Sequence, residues 1–100
     1  MKYRIHVSYR VEQKIGEMPA ESVSAVLDDL EGFADGLDYH RYNVRKLRES
    51  CVVLPRYRMH SGNYRLIFFI LHNRLIIEVI SVRQQRGEVE LLSASEPESG

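Results

Sequence analysis

Between residues 41 and 65 the chain carries Arg41, Tyr42, Arg45, Lys46, Arg48, Arg56, Tyr57, Arg58, Tyr64 and Arg65. Guanidinium groups stay charged at any working pH, and their planar forks match the oxygens of a phosphate. Tyrosines interleaved with such charges give the footprint of a face that binds polyanions, nucleic acid first among them. Arg56 and Arg58 are two residues apart, so they share one face if the segment is a strand. Arg65 lies just past the turn-like stretch His60-Ser61-Gly62-Asn63 and inside an apolar run, where a charge needs a reason. A hairpin at that turn would bring it beside Arg56 and Arg58. The plain alternative for each arginine is a solvated charge at a strand edge.

The formal charge of zero hides a polarised chain. Residues 1–40 hold four Lys/Arg against eight Asp/Glu, a net of −4; residues 41–88 hold ten against three, a net of +7; residues 89–100 hold Glu90, Glu96 and Glu98 and no base, a net of −3. One hundred residues, 44% hydrophobic and 28% charged, suit one globular domain. The lone Cys51 excludes an intramolecular disulfide and a cysteine-based zinc site, and reads as a small apolar residue of an intracellular protein. His6, His40 and His72 lack ligand-like spacing, so no metal site and no small-molecule cofactor are expected. The N-terminus shows no signal-peptide pattern. The longest apolar run, Leu66 to Leu71, is too short to cross a bilayer, and the expected location is the cytoplasm.

The elements that must position the arginines follow from periodicity. Lys2 to Ser8 alternates in strand fashion, with Tyr3, Ile5 and Val7 on one face and Lys2, Arg4 and His6 on the other. A short helix is expected over Tyr9–Glu17, with Val11 and Ile15 inward. A second, from Pro19 to about Gly36, turns a stripe of Val23, Val26, Leu27, Leu30, Phe33 and Leu37 inward. Its other faces, with Glu21, Asp28, Asp29, Glu31 and Asp35, read as acidic solvent surface. Gly32 weakens the helix interior, and Gly36 reads as its C-terminal cap. Residues 38–50 read as a polar, basic connection. Val52–Met59, interrupted by Pro55, reads as an edge strand or bulge. Tyr64–Leu71 reads as a central strand covered on both faces. His72-Asn73 is expected to form a tight hairpin with Asn73 in the left-handed region, and Leu75–Val82 to return. Residues 83–87 are polar, and Glu88–Leu92 suits a short last strand. The sum is an α+β domain over 1–92: a small antiparallel sheet with an N-terminal strand and a two-helix hairpin packed on one face, then a disordered tail over 93–100.

The run from Arg56-Tyr57-Arg58-Met59 through Gly62-Asn63-Tyr64-Arg65 to Phe68 resembles the RelE/ParE superfamily of toxins. Members carry a basic-x-basic strand, a short glycine turn, then Tyr-Arg and apolar residues. Ile77 to Arg83, with Arg86, Glu88 and Val89, is similar to the family's last strand and its glutamate-valine ending. Lys46-Leu47-Arg48-Glu49 looks like its Lys-Leu-Arg segment. The resemblance spans about residues 1–92 and implies a cognate antitoxin as partner. RelE-like members cut messenger RNA on the ribosome; ParE-like members poison DNA gyrase without chemistry.

For a RelE-like chain, metal-free RNA cleavage requires a base for the 2′-hydroxyl proton, cations for the pentavalent phosphorane and an acid for the leaving 5′-oxygen. The resemblance places basic residues at Arg56, Arg58 and Arg65, and one more at Arg83 or Arg86, which compete for one role. Arg65 with Arg83 or Arg86 would stabilise the phosphorane, while Arg56 and Arg58, with Lys46 and Arg48, would hold the RNA backbone. Where the family carries a tyrosine or a histidine after the glutamate-valine pair, this chain has Glu90, a possible base but a poor acid. His60, beside the arginines, titrates in a range that suits the acid. Two rivals stay open: a ParE-like gyrase inhibitor, favoured by the absent tyrosine and neutral total charge, and a decayed toxin that only binds its antitoxin.

Overall fold

The computed structural model describes residues 2–48 and 54–85. Its elements run β1 (Arg4–Val7), α1 (Tyr9–Gly16), α2 (Ala20–Ala34), β2 (Val44–Lys46), β3 (Arg56–Ser61), β4 (Tyr64–Leu71) and β5 (Ile76–Gln84). The strands form one sheet in the order β1-β5-β4-β3-β2, antiparallel except for the parallel β1–β5 pair. The α+β layout with both helices on one sheet face is the one implied by the sequence. Cys51, Glu88–Leu92 and the tail over 93–100 lie outside the described residues.

Local chemistry sets the helices. The Ser8 hydroxyl caps α1 by accepting from the Val11 N–H at 3.2 Å, and Val11 is buried with Ile15 packed against the core. Pro19 is the cap residue of α2, with an extended ψ of 145°, one step outside the helix. Gly36 takes φ +105° and ends the helix, as its type suggests. Val26, Leu30, Phe33 and Ala34 are buried against the sheet, but Leu27 is 39% exposed. The helical pitch carries Leu27 past the flank of the stripe, so it is not core.

The sheet corrects several expectations. β2 forms inside the basic 38–50 connection, and β3 starts only after Pro55, so β3 is an internal strand and β2 takes the edge. His60 and Ser61 belong to β3; the turn is Gly62-Asn63 alone, with Gly62 at φ +60°. The β4–β5 turn spans His72–Leu75, and Leu75 rather than Asn73 takes the left-handed conformation, at φ +55°. Burial along β4 alternates strictly. Tyr64, Leu66, Phe68 and Ile70 face the helices, whereas Arg65, Ile67, Phe69 and Leu71 line a face with no helix on it. Only one face of the central strand is covered, so its apolar run is half core and half surface.

One irregularity decides what that open face carries. Pairing between β4 and β5 runs Phe68↔Val79, then Ile67↔Ser81, which leaves Ile80 as an extra residue in β5. Before it Ile77 and Val79 are buried; after it Val82 is buried and Arg83 is exposed. A one-residue bulge exchanges the two faces of a strand beyond it. Strict alternation from Val79 would have turned Ser81 and Arg83 into the core.

Gly32 has a different meaning from a weak point in a helix. The Tyr42 ring, edge-on to Phe33 at 6.5 Å between centroids, occupies the space that a Cβ on Gly32 would need. In an ordinary exposed helix Gly→Ala gains about 1 kcal/mol. Here Gly32→Ala should instead destabilise by about 1–3 kcal/mol, the usual scale of overpacking. Urea denaturation checks the sign, and Tyr42→Ala in the same chain should remove most of the penalty.

Candidate active site

The open face gathers the arginines into rows that follow strand register. His60 on β3 is directly opposite Arg65 on β4, and Arg65 is directly opposite Arg83 on β5. The next row holds Arg45 on β2, Arg58 on β3, Ile67 on β4 and Ser81 on β5. Opposed residues on one face have Cβ atoms about 5 Å apart and diagonal ones about 7 Å. Arg58 and Arg65 are diagonal neighbours, so β3, β4 and β5 each set an arginine on the same face. Arg56, opposite Phe69, lies two rows from Arg65, yet it lines the same groove of about 450 Å³ with Leu47, Arg65, Ile67, Ser81 and Arg83.

Among the described residues no carboxylate pairs with these arginines, although Asp28 and Asp29 border a cavity with His60. Lys2–Glu31 at 3.2 Å and His6–Glu78 at 2.9 Å are ion pairs of the periphery, and Arg58, Arg65 and Arg83 have no carboxylate partner. The buried Nε of Arg58 has no hydrogen-bond acceptor among the described residues. An N–H left unsatisfied costs about 1–3 kcal/mol, an amount that an incoming anion would return. Among the described residues no group of three or more His, Cys, Asp or Glu is arranged to hold a metal, and no helix is long and apolar enough to cross a membrane.

The remaining sequence candidates divide. Lys46 pairs with Tyr57 and shares the helix-side face with buried Val44, so it points away from the arginines. Arg48 is exposed beyond the end of β2. Arg86 and Glu90 lie outside the described residues. Arg45 was missed as a site residue because its strand was read as a connection. Ser81 was missed because nothing marks the bulge that turns it outward.

No protein-family model and no curated protein matches the sequence. Solved structures do. A chain of the archaeal RelE–RelB complex from Pyrococcus horikoshii OT3 superposes with a TM-score of 0.72 at 21% identity, covering 85% of this chain and 97% of that one. The isolated E. coli RelE toxin gives 0.67 at 18% identity, covering 91% and 94%. The RelBE2 toxin–antitoxin complex from Mycobacterium tuberculosis gives 0.63 at 20% identity, covering 84% and 99%. The chain has the RelE toxin fold. At this identity the likeness is one of backbone, and the chemistry of the site rests on the side chains that this chain places on the RelE framework.

His60 is the titratable group at the β3 end of the His60–Arg65–Arg83 row. Burial lowers its pKa from the usual 6.5, and the Arg58 and Arg65 charges lower it further, with a smaller push from Arg45; a hydrogen bond with Gln85 acts the other way. The imidazole is therefore neutral at pH 7, a proton acceptor amid cations. The sequence offers this residue as an acid, and its surroundings favour the unprotonated form at pH 7. Removing either neighbouring cation should raise the His60 midpoint toward 6.5, more for Arg58→Gln than for Arg65→Gln, since Arg58 is the larger influence. An NMR titration of the imidazole protons measures both shifts.

Proposed function

We propose that the chain is the toxin of a type II toxin–antitoxin system and that it cuts messenger RNA on the ribosome by metal-free attack of a 2′-hydroxyl. The observation that carries this reading is the row His60–Arg65–Arg83, with Arg58 diagonal to it, on the uncovered face of a RelE-fold sheet. Arginines held close before any ligand arrives repel one another. They gain most when a group of high negative charge comes among them, and a pentavalent phosphorane carries more charge than the diester it forms from.

In this mechanism Arg56 and Arg58 hold the RNA backbone, while Arg65 and Arg83 contact the non-bridging oxygens. Neutral His60 takes the proton of the 2′-hydroxyl. The 2′-oxygen–phosphorus bond forms as the phosphorus–5′-oxygen bond breaks, giving a 2′,3′-cyclic phosphate and a 5′-hydroxyl that takes its proton from water. Glu90 remains a second candidate for the base and Arg86 a further cation. The partner in the cell is an antitoxin whose acidic, flexible segment covers the basic face. RelBE2 from Mycobacterium tuberculosis and E. coli RelBE, whose chains share this fold, have been solved as toxin–antitoxin complexes, which supports that assignment.

Arg65→Ala should relieve growth arrest and lower cleavage by about 10²-fold or more, the scale of losing one preorganised donor, with the fold intact by circular dichroism. Primer extension on a translated message should show discrete cuts within codons for the wild type. DNA damage with intact message would indicate a gyrase poison instead. Because the neutral imidazole is the reactive form and its pKa is lowered from 6.5, cleavage should hold at pH 7 and fall only below that value. His60→Gln should flatten this acidic limb. An unchanged limb in that variant would pass the role of base to Glu90.

A further inference from the structure

We propose that Asp29 is a positioning residue for this site: through its hydrogen bond to Ser61 it holds the β3–β4 hairpin so that His60 and Arg65 face the RNA together. The inference rests on the ribonuclease reading for its consequence and on the geometry alone for the contact.

Ser61 is 2% exposed, the one polar residue that is buried among the described residues. Its hydroxyl donates to Asp29 Oδ2 at 2.6 Å, across 32 positions of sequence. A hydrogen bond this short to a carboxylate is of the strong, charge-assisted kind. Its place in the hairpin gives it leverage. Ser61 pairs with Tyr64 to close the Gly62-Asn63 turn, and the very next pair is His60↔Arg65. Successive side chains of a strand point to opposite faces. Drawing Ser61 toward α2 therefore presents His60 to the open face.

Among the described residues, Ser61–Asp29 is the one side-chain hydrogen bond between α2 and this hairpin, beside Tyr64, which is buried in the core. Between the first half of α2 and the turn lies an opening of about 240 Å³, lined by Ser22, Ala25, Val26, Gly62, Asn63 and Tyr64. Across that opening the turn residues Gly62 and Asn63 are exposed, so the polar tie at Asp29 adds a directional hold that apolar packing of Tyr64 does not supply. The far end of the tie is rigid, because Val26, Leu30 and Phe33 anchor α2 in the core. Asp29 also borders the cavity of about 400 Å³ that His60 shares with Asp28, Arg41, Tyr42 and Asn43. The simpler account is that Asp29 only satisfies a buried hydroxyl. That role would affect stability and leave the chemistry of His60 unchanged.

The test uses the full chain and the variants Ser61→Ala, Ser61→Thr, Asp29→Ala and Asp29→Asn. The groups facing His60 are Arg58 on its own strand, Arg65 on β4, Arg45 on β2 and Gln85 past β5, with Asp28, Asp29 and Arg41 across the shared cavity. If the hairpin tip loosens, His60 moves away from the charges and burial that depress it. Ser61→Ala and Asp29→Ala should then each return the NMR-measured His60 midpoint toward 6.5. Each should lower kcat by about 10²-fold, as small misplacements do, with KM little changed. The double variant should be no worse than either single one, and Ser61→Thr should keep wild-type values. Asp29→Asn, which retains an accepting oxygen without the charge, should shift both readouts in the same direction by less. Variants that only lower the melting temperature, leaving kcat and the His60 midpoint at wild-type values, would overturn the inference. If both alanine variants fail to fold, wild-type values for Asp29→Asn would overturn it too. A shifted His60 midpoint in a protein that cuts no RNA would uphold the tie and sink the nuclease reading instead.

Discussion

The site depends on the extra residue at Ile80. Two strands in register cannot change which face a side chain occupies, because their period is two. β5 must bury Ile77 and Val79 under the helices and, four residues later, direct Arg83 to the opposite side. The bulge between those demands resolves them, and it also turns Ser81 outward and Val82 inward. Without it a guanidinium would be thrust into a core of Phe33, Phe68 and Leu66, and Arg65 would have no cation across from it. The cation cluster and the completeness of the core are thus two results of one backbone feature.

Placing several arginines side by side is unfavourable, and the rest of the fold makes it tolerable. Each charged residue sits on a strand whose alternate residues are buried: Met59 and Ser61 beside Arg58 and His60, Leu66 beside Arg65, Val82 beside Arg83. Apolar burial on one face holds the strands together against repulsion on the other. The result is a face preorganised for negative charge, and a histidine whose pKa is lowered by burial and by the neighbouring cations.

The acidic half of the chain takes part in this as well. Its excess of carboxylates reads in sequence as solvent surface, and for Glu21, Asp28 and Glu31 it is exposed. Asp29 departs from the pattern because a helix meets the sheet at an angle that brings this one position over the end of β3. The Gly32–Tyr42 contact arises the same way: residues ten apart in the chain, in a helix and a loop, occupy a single volume. Neither has a sequence signature, since both depend on how two elements cross.

Periodicity in the sequence determined the first strand, both helices and the extent of β4, since apolar spacing is a direct record of which side of an element is dry. The same record made Arg56, Arg58 and Arg65 stand out and placed them on adjoining strands. It could not show the bulge at Ile80, the strand within the 38–50 segment or the outward turn of Leu27, because each is settled by partners distant in the chain. Nor could it choose between an acid and a base for His60. The ionisation of an imidazole is set by its neighbours in space, and Arg45, Arg58, Arg65 and Gln85 become neighbours only when four strands are laid in register.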